Sequence, residues 1–212
     1  MIESEDVRIT RAGYDEYAEL YARMVEGLMD DMLFDRMMLD AFAEAVRENG
    51  TGPVLEVGCG QGRVAAYLTA AGLRVSGIDL SPEMIRLARA TYPEISFEIG
   101  SMEQLPLEDA ALTGLVSWYS LIHTPPQRVP AVLTEFARVL RPGGHVIFGF
   151  QAADEPTGVT EYAHKVAPSF RWAPDTFAEV LAANGFRATA KLSREARPDE
   201  RTPQATVLAV RV

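Results

Sequence analysis

The chain has 212 residues, of which 48% are hydrophobic and 24% charged, as is typical of one globular domain with an apolar core. Its formal net charge of −10 disfavours binding to the phosphate backbone of nucleic acids. Residues 1–50 hold 13 acids and 5 bases, net −8, whereas residues 51–212 hold 17 acids and 15 bases, net −2. The acidic surplus therefore belongs to the N-terminal segment.

The composition also bears on compartment and metal binding. No stretch approaches about 20 consecutive apolar residues, and the acidic N-terminus lacks the basic and then apolar pattern of a secretory signal. The single cysteine, Cys59, cannot form an internal disulfide. We therefore expect a cytoplasmic protein with no membrane association. The three histidines are widely spaced, without an H-x-x-x-H or C-x-x-C pattern, and we expect no metal site.

The N-terminal segment is predicted to be helical from residue 14 to about residue 48, because apolar residues such as Leu20, Met24 and Phe42 recur at helical spacing. Residues 49–53, with the sequence NGTGP, then stop the helix. Tyr14 and Tyr21 fall on one face of this helix. Either this face is a hydrophobic stripe with polar tips, or it faces a ligand.

Beyond residue 53, short apolar runs alternate with amphipathic segments, which predicts helices packed on a mostly parallel sheet, an α/β fold. The predicted strands are 54–57, 74–78, 95–99, 115–118, 145–150, 187–192 and 206–212, and the predicted helices are 63–71, 82–91, 126–140 and 173–183. Ser81 followed by Pro82 is typical of a helix start. The connection over residues 151–173 shows no strong periodicity, and connections of this length are often functional.

The most informative stretch is VLEVGCGQGR, residues 54–63, in which an apolar strand leads into a glycine-rich turn and then a helix. Glycines at 58, 60 and 62 allow a sharp turn and a close approach of the backbone to a ligand. Asp79 ends the next strand at the same edge of the sheet, where its carboxylate can accept both hydroxyls of a ribose. The combination predicts a nucleotide-type site.

Two cofactor classes use such an edge. A dinucleotide fingerprint, G-x-G-x-x-G, would place glycine or a small residue at position 63, where this chain has Arg63. The segment EVGCGQG, residues 56–62, instead resembles the first motif of the class I S-adenosylmethionine-dependent methyltransferases, acid-x-G-x-G-x-G. The resemblance continues in order with residues 79–84 (DLSPEM), 100–106 (GSMEQLP) and 140–144 (LRPGG).

The resemblance implies a Rossmann-like, doubly wound sheet of about seven strands, mostly parallel with an antiparallel C-terminal strand, in a single domain. Residues 1–50 would form an N-terminal helical cover, residues 51–150 the cofactor-binding core, and residues 151–212 the acceptor loop, a helix and the last strands. The cofactor would be S-adenosyl-L-methionine, with S-adenosyl-L-homocysteine as product. Cofactor-binding residues would be Tyr14, Tyr21, Glu56, Gly58, Gly60, Gly62, Arg63, Asp79, Leu80, Met84, Ser101, Met102, Trp118 and Tyr119.

Several of these positions carry a specific expectation from the resemblance. Glu56 would face the methionine portion of the cofactor, Asp79 the ribose, and Leu80 with Met84 the adenine. Many relatives have an acid where Ser101 stands, so the adenine amino group would be bound by backbone or by the hydroxyl. Gly114 also departs from the pattern, since an acid is common there.

The acceptor is expected beyond the fourth strand, since ligands of open α/β sheets bind outside the carboxyl ends of the strands. Tyr119 and His123 are the candidate catalytic residues, with His123 taking a proton from the acceptor or simply bonding to a backbone carbonyl. Further candidate substrate-binding residues lie in the connection after the fifth strand, although packing explains Trp172 equally well. They are Tyr162, His164, Arg171 and Trp172.

We thus predict an enzyme that moves a methyl group from S-adenosylmethionine to an oxygen or nitrogen of a small molecule by in-line displacement. A cofactor-binding protein of the same fold without methyl transfer, or a pericyclase-like enzyme, is the alternative, and an NAD-dependent dehydrogenase is third. The acidic N-terminal segment would favour a cationic sulfonium over anionic acceptors.

Overall fold

The computed structural model describes residues 4–25, 27, 29 and 32–212. The strands of its main sheet are β1 (Pro53–Val57), β2 (Arg74–Asp79), β3 (Ser96–Ile99), β4 (Leu112–Trp118), β5 (Leu140–Gln151), β8 (Phe186–Arg194) and β9 (Gln204–Arg211). They lie in the order β3-β2-β1-β4-β5-β9-β8. Strands β1 to β5 pair in parallel, and β9 runs antiparallel to both β5 and β8. The predicted sheet, with its antiparallel C-terminal strand, is confirmed.

The helices follow the predicted order with shifted bounds. They are α1 (Glu5–Val25), α2 (Leu33–Glu48), α3 (Arg63–Ala70), α4 (Pro82–Thr91), α5 (Val129–Val139) and α6 (Pro174–Ala183). The first helix begins at Glu5 rather than residue 14, and residues 26, 28, 30 and 31 of the predicted helical segment lie outside the described residues. The predicted cap at Ser81 is confirmed, because its hydroxyl accepts the backbone N–H of Met84 at 3.1 Å.

Two apolar layers cover the faces of the sheet. One consists of β-strand residues packed with α5 and α6, and the other of residues packed with α2, α3 and α4. The unusual glycine at 114 belongs to the second layer: a Cβ there would lie 2.9 Å from Phe42 and 3.0 Å from Val46 of α2. Gly114 therefore allows α2 to pack closely on β4, which places the start of α2 at the carboxyl edge of the sheet.

The connection over residues 151–173 contains structure that its sequence did not predict. Two short strands, β6 (Val159–Tyr162) and β7 (Ser169–Trp172), pair antiparallel as a separate hairpin. β6, with the sequence VTEY, shows no alternation of apolar and polar residues, so the sequence does not mark the first strand of the hairpin. Among the described residues, no helix is long and apolar enough to cross a membrane.

Candidate functional site

The glycine loop turns at the carboxyl end of β1 through three left-handed residues. Gly58, Gly60 and Gly62 have φ of 67°, 54° and 85°, a region that disfavours residues with a Cβ. A Cβ on Gly58 would lie 2.3 Å from the Cβ of Ser120, whereas one on Gly60 would meet no described protein atom within 4 Å. Gly58 is thus required by packing, and Gly60 leaves open space beside the loop.

Asp79 is fixed at the end of β2 by the backbone around it. One carboxylate oxygen accepts the N–H of Gly60 at 2.8 Å, and the other accepts the N–H of Ser81 at 2.9 Å. Each oxygen can accept a second hydrogen bond, so the carboxylate can still accept hydrogen bonds from two hydroxyl groups. Burial raises the pKa of Asp79 despite these hydrogen bonds.

Glu56 has a structural partner that the sequence did not predict. It is 2% exposed, and its Oε2 accepts the N–H of Ala65 at 2.8 Å. Gly62, which precedes α3, has no side chain to cap the helix, and the first amides of a helix have no partner within it. Glu56 therefore caps α3 from the neighbouring strand. Its expected position at the methionine portion of the cofactor stays a prediction.

The burial of Glu56 predicts a pH dependence of stability. Burial raises its pKa from 4.5 to about 8, so the folded chain binds this proton more tightly than the unfolded chain. The associated stabilisation is complete below about pH 4.5 and is lost as the pH rises to about 8. We expect the free energy of unfolding of the wild type, measured by urea denaturation, to fall between pH 5 and pH 8. This fall should exceed that of Glu56→Gln by more than ~1 kcal/mol.

Glu98→Gln, a change at an exposed acid on β3, is the control for that comparison. The free energy of unfolding of Glu98→Gln should depend on pH as that of the wild type does. The same pH dependence in the wild type and in Glu56→Gln would contradict the raised pKa of Glu56.

A cavity joins the glycine loop, Asp79, the end of β4 and the inner face of α1. Its described lining residues are Thr10, Tyr14, Tyr21, Gly58, Gly60, Asp79, Leu80, Gly100, Met102, Trp118, Tyr119, Ser120 and His123. Nine of the fourteen predicted cofactor-binding residues are therefore brought together here, along with His123. The Nε1 of Trp118 is buried and has no hydrogen-bond partner among the described residues.

The other predicted cofactor-binding residues lie outside this lining. A Cβ on Gly62 would meet Phe97 and Tyr92, so this glycine is needed for packing. Met84 is 1% exposed in the core, and the Ser101 hydroxyl accepts the N–H of Glu103 at 3.2 Å. Arg63 faces a separate open cleft of about 500 Å³ between α1, α3 and α4, which neither Asp79 nor Gly58 lines.

Tyr14 and His123 are joined across the cavity. The Nδ1 of His123 lies 2.9 Å from the carbonyl oxygen of Pro168, which can only accept, so Nδ1 carries the proton. The neutral ring then accepts the Tyr14 hydroxyl at Nε2, at 3.0 Å. Burial is the main reason that the pKa of His123 is lowered to about 4. His123 thus bonds to a backbone carbonyl, which was one of the two predicted roles, and each of its ring nitrogens has a hydrogen-bond partner.

Helix α1 is held over the cavity by contacts on both sides. On one side, Asp15 accepts the Ser81 hydroxyl at 2.6 Å at the start of α4. On the other, Gly13 lies directly against the connection between β6 and β7, where a Cβ would be 2.5 Å from the carbonyl oxygen of Val166. Helix α1 therefore covers the cavity, and the connection between β6 and β7 packs against α1.

This contact predicts the effect of Gly13→Ala. Alanine favours a helix over glycine by about 1 kcal/mol, but here the new Cβ would collide with backbone that cannot rotate away. We expect a net loss of about 1–3 kcal/mol in the free energy of unfolding, measured by urea denaturation. Glu16→Ala, at an exposed position of the same helix, should change stability by less than about 0.5 kcal/mol. A Gly13→Ala variant more stable than the wild type would contradict the contact.

The hairpin places the predicted substrate residues in three environments. His164 packs against His123 with ring centroids 5.2 Å apart, close to the cavity. Arg171 lies over the Tyr162 ring, 5.3 Å from its centroid, and pairs with Asp154 at 2.8 Å. Trp172 is 4% exposed in the core and packs on α6, so packing accounts for it.

Sequence reasoning assigned no role to three residues around the cavity: Thr10, Asp15 and Ser120. The Ser120 hydroxyl donates to the carbonyl oxygen of Val57 at 2.7 Å and ties the end of β4 to the end of β1. Asp15 follows Tyr14 directly but points to α4 instead. No local pattern marks these residues, because each is defined by a contact with a distant part of the chain.

The fold and the cavity at its carboxyl edge define an open α/β protein with a nucleotide-type site.

Residues 54–144 match the family model described as "Methyltransferase domain". A malonyl-[acyl-carrier protein] O-methyltransferase of Serratia marcescens is 37% identical over 100 residues, which are 47% of this chain and 38% of that protein. An O-methyltransferase of Pyrenophora dematioidea is 26% identical over 201 residues, 83% of this chain and 74% of that protein. The chain thus spans well under half of the first relative's length.

Magnesium protoporphyrin IX methyltransferase from Synechocystis PCC 6803, solved with bound SAM, has a similar fold. It superposes with a TM-score of 0.74 over 100% of each chain at 19% identity, and at this identity the likeness concerns the fold alone. The matched residues 54–144, the sheet order and the glycine loop are those of a domain of the class I S-adenosylmethionine-dependent methyltransferase family. S-adenosylmethionine is the cofactor of this family.

The residues of the cavity fit this cofactor. The Asp79 oxygens retain acceptor positions for the ribose hydroxyls. The open space at Gly60 admits a ligand close to the backbone, and the unpartnered Nε1–H of Trp118 is a buried donor for a polar ligand atom.

Proposed function

We propose that this protein transfers a methyl group from S-adenosylmethionine to an oxygen or nitrogen atom of a small molecule. The observation that carries the proposal is the Asp79 carboxylate, fixed by the amides of Gly60 and Ser81 beside a glycine loop with open space at Gly60. The match to the methyltransferase domain over residues 54–144 supports the same reaction. The small-molecule acceptor is supported by the enclosed cavity under α1.

The bound cofactor would supply a methyl group on a positively charged sulfur, already activated for displacement. The chain's own task is then to bind, orient and exclude water. Asp79 orients the ribose, Leu80 and Met102 flank the adenine, and Tyr14 with Tyr21 closes the cavity from α1. The cavity encloses about 70 Å³, less than the 300 Å³ or so typical of small-molecule sites, so α1 has to move outward to admit a ligand.

Both predicted catalytic residues, Tyr119 and His123, line this cavity. His123 is neutral and already bonded at both nitrogens, so it acts as a base only when the Tyr14 hydroxyl is displaced. While the pair is intact, His123 positions Tyr14. Tyr119 stands beside them with a φ of 54°, a strained conformation of the kind that clusters at functional sites.

Binding and product formation test the proposal. Calorimetry should show that the purified protein binds S-adenosylmethionine and S-adenosylhomocysteine but not NADH. Incubation with S-adenosylmethionine and a panel of phenols and amines should release S-adenosylhomocysteine, detected by chromatography. Binding of NADH without S-adenosylmethionine would overturn the proposal. Cofactor binding without product across the panel would favour the same fold acting without methyl transfer.

A further inference from the structure

A second cleft opens at the carboxyl edge of the sheet, next to the cofactor cavity. It lies between the start of α2 and the end of β8 and has a volume of about 300 Å³, within the usual range for small-molecule sites. The described residues that line it are Met32, Leu33, Phe34, Asp35, Arg194, Glu195 and Arg197. Sequence reasoning assigned no role to any of them.

One wall of the cleft carries a buried carboxylate. Asp35 is 4% exposed, and its ion pair with Arg194, at 3.8 Å, is longer than a hydrogen bond. Arg194 is bound instead by both oxygens of Glu200, at 2.5 and 2.7 Å. Asp35 therefore keeps acceptor capacity toward a ligand, although buried carboxylates are normally well bonded.

The other wall is apolar. Leu33 and Phe34, at the start of α2, are 56% and 46% exposed, and Met32 beside them is buried. Large apolar side chains so exposed next to a buried carboxylate form a surface for the body of an amphipathic molecule.

The cleft and the cofactor cavity open at the same edge of the sheet. Tyr119, which lines the cavity, directly follows β4, whose last residue, Trp118, pairs with Gly149 of β5. Arg194, at the end of β8, pairs with Gln204, which in turn pairs with Gln151 at the end of β5. A molecule in the cleft would therefore lie at the same edge of the sheet as the cofactor.

The charges of the cleft restrict what it can bind. Arg194 and Arg197 are both paired with carboxylates, those of Glu200 and Asp199. The charged lining residues Asp35, Glu195, Arg194 and Arg197, taken together with these two partner carboxylates, are four acids and two bases, a local net charge of −2. An anionic ligand would meet like charge, whereas a hydrogen-bond donor or a cation would not.

We propose that this cleft is the acceptor site, and that it takes a neutral or cationic aromatic molecule whose O–H or N–H group donates to Asp35. The inference rests on the proposed function, because only a methyltransferase needs an acceptor beside this cofactor cavity. The sequence placed the acceptor beyond the fourth strand, beside Tyr119 and His123, with further contacts in the connection that forms the β6–β7 hairpin. The inference moves it to the space between α2 and β8. Leu33 and Phe34 hold the ring, and Asp35 selects the donor.

The experiment measures ligand binding without turnover. The protein, saturated with S-adenosylhomocysteine, is titrated with benzylamine, 4-methylphenol and benzoate while the methyl signals of Met32 and Leu33 are followed by NMR. We expect benzylamine and 4-methylphenol to shift these signals and benzoate to bind at least about tenfold more weakly. Asp35→Asn should weaken benzylamine binding about tenfold.

Matched variants separate the cleft from a general effect. Asp40→Asn makes the same change at an exposed position of α2 outside the cleft and should leave all three affinities unchanged. Should Asp35→Asn fail to fold, Phe34→Ala at an exposed position should still weaken benzylamine and 4-methylphenol about fivefold. Equal binding of benzoate, or shifts at the hairpin instead of Met32 and Leu33, would overturn the acceptor site. Failure to bind S-adenosylhomocysteine would instead overturn the proposed function.

Discussion

Replacing Asp79 with alanine is expected to weaken the binding of S-adenosylmethionine by about 1–3 kcal/mol, roughly 5- to 150-fold. The carboxylate is fixed by the amides of Gly60 and Ser81 and is presented to the cavity with acceptor positions free for two hydroxyls. Alanine removes both charge-assisted hydrogen bonds to the ribose. It also releases the two amides, so the glycine loop loses a contact. Isothermal titration calorimetry measures the effect directly.

Asp79→Asn refines the test, because asparagine keeps the shape but offers one oxygen in place of two. Its affinity should lie between those of the wild type and Asp79→Ala. Asp109→Ala, which removes an exposed acid outside the cavity lining, is the control for overall charge and should bind normally. An unchanged affinity in Asp79→Ala would show that the ribose assignment is wrong.

Gly58→Ala is expected to cost more stability than any other single change considered, about 2–5 kcal/mol. Part of this is the left-handed backbone, which costs a residue with a Cβ about 1–2 kcal/mol. The rest comes from overpacking, typically about 1–3 kcal/mol, since the new Cβ would lie 2.3 Å from that of Ser120. Ser120 cannot easily give way, because its hydroxyl is bonded to Val57 and Ser117. Urea denaturation measures the loss.

Gly60→Ala is the matched comparison within the same loop. It has the backbone cost alone, about 1–2 kcal/mol, because its Cβ would meet no described atom within 4 Å. That Cβ would occupy space proposed for the cofactor, so Gly60→Ala should lose affinity for S-adenosylmethionine out of proportion to its loss of stability. Equal stability of Gly58→Ala and Gly60→Ala would contradict the packing role of Gly58, and full affinity in Gly60→Ala would contradict the ligand role of Gly60.

The cofactor half of the site was largely predictable, because its residues are local in sequence and their chemistry is restrictive. Three glycines in one short turn and an acid at the end of the next strand, Asp79, have few other uses. Parallel strands bring their carboxyl ends to one edge, which places these elements together without further information. The capping of α3 by Glu56 was not predictable, because the sequence does not show which side chain meets the free amides at the start of this helix.

The sequence by itself determined the alternation of strands and helices, the glycine loop and its partner acid. The tertiary structure decided which side chains meet over the cavity. Tyr14 reaches His123 from 109 residues away, Gly13 fits against Val166, and Asp35 faces Arg194. Such contacts depend on how α1, α2 and the hairpin pack on the sheet edge. Periodicity reports which face of an element is buried, but not which distant element covers it.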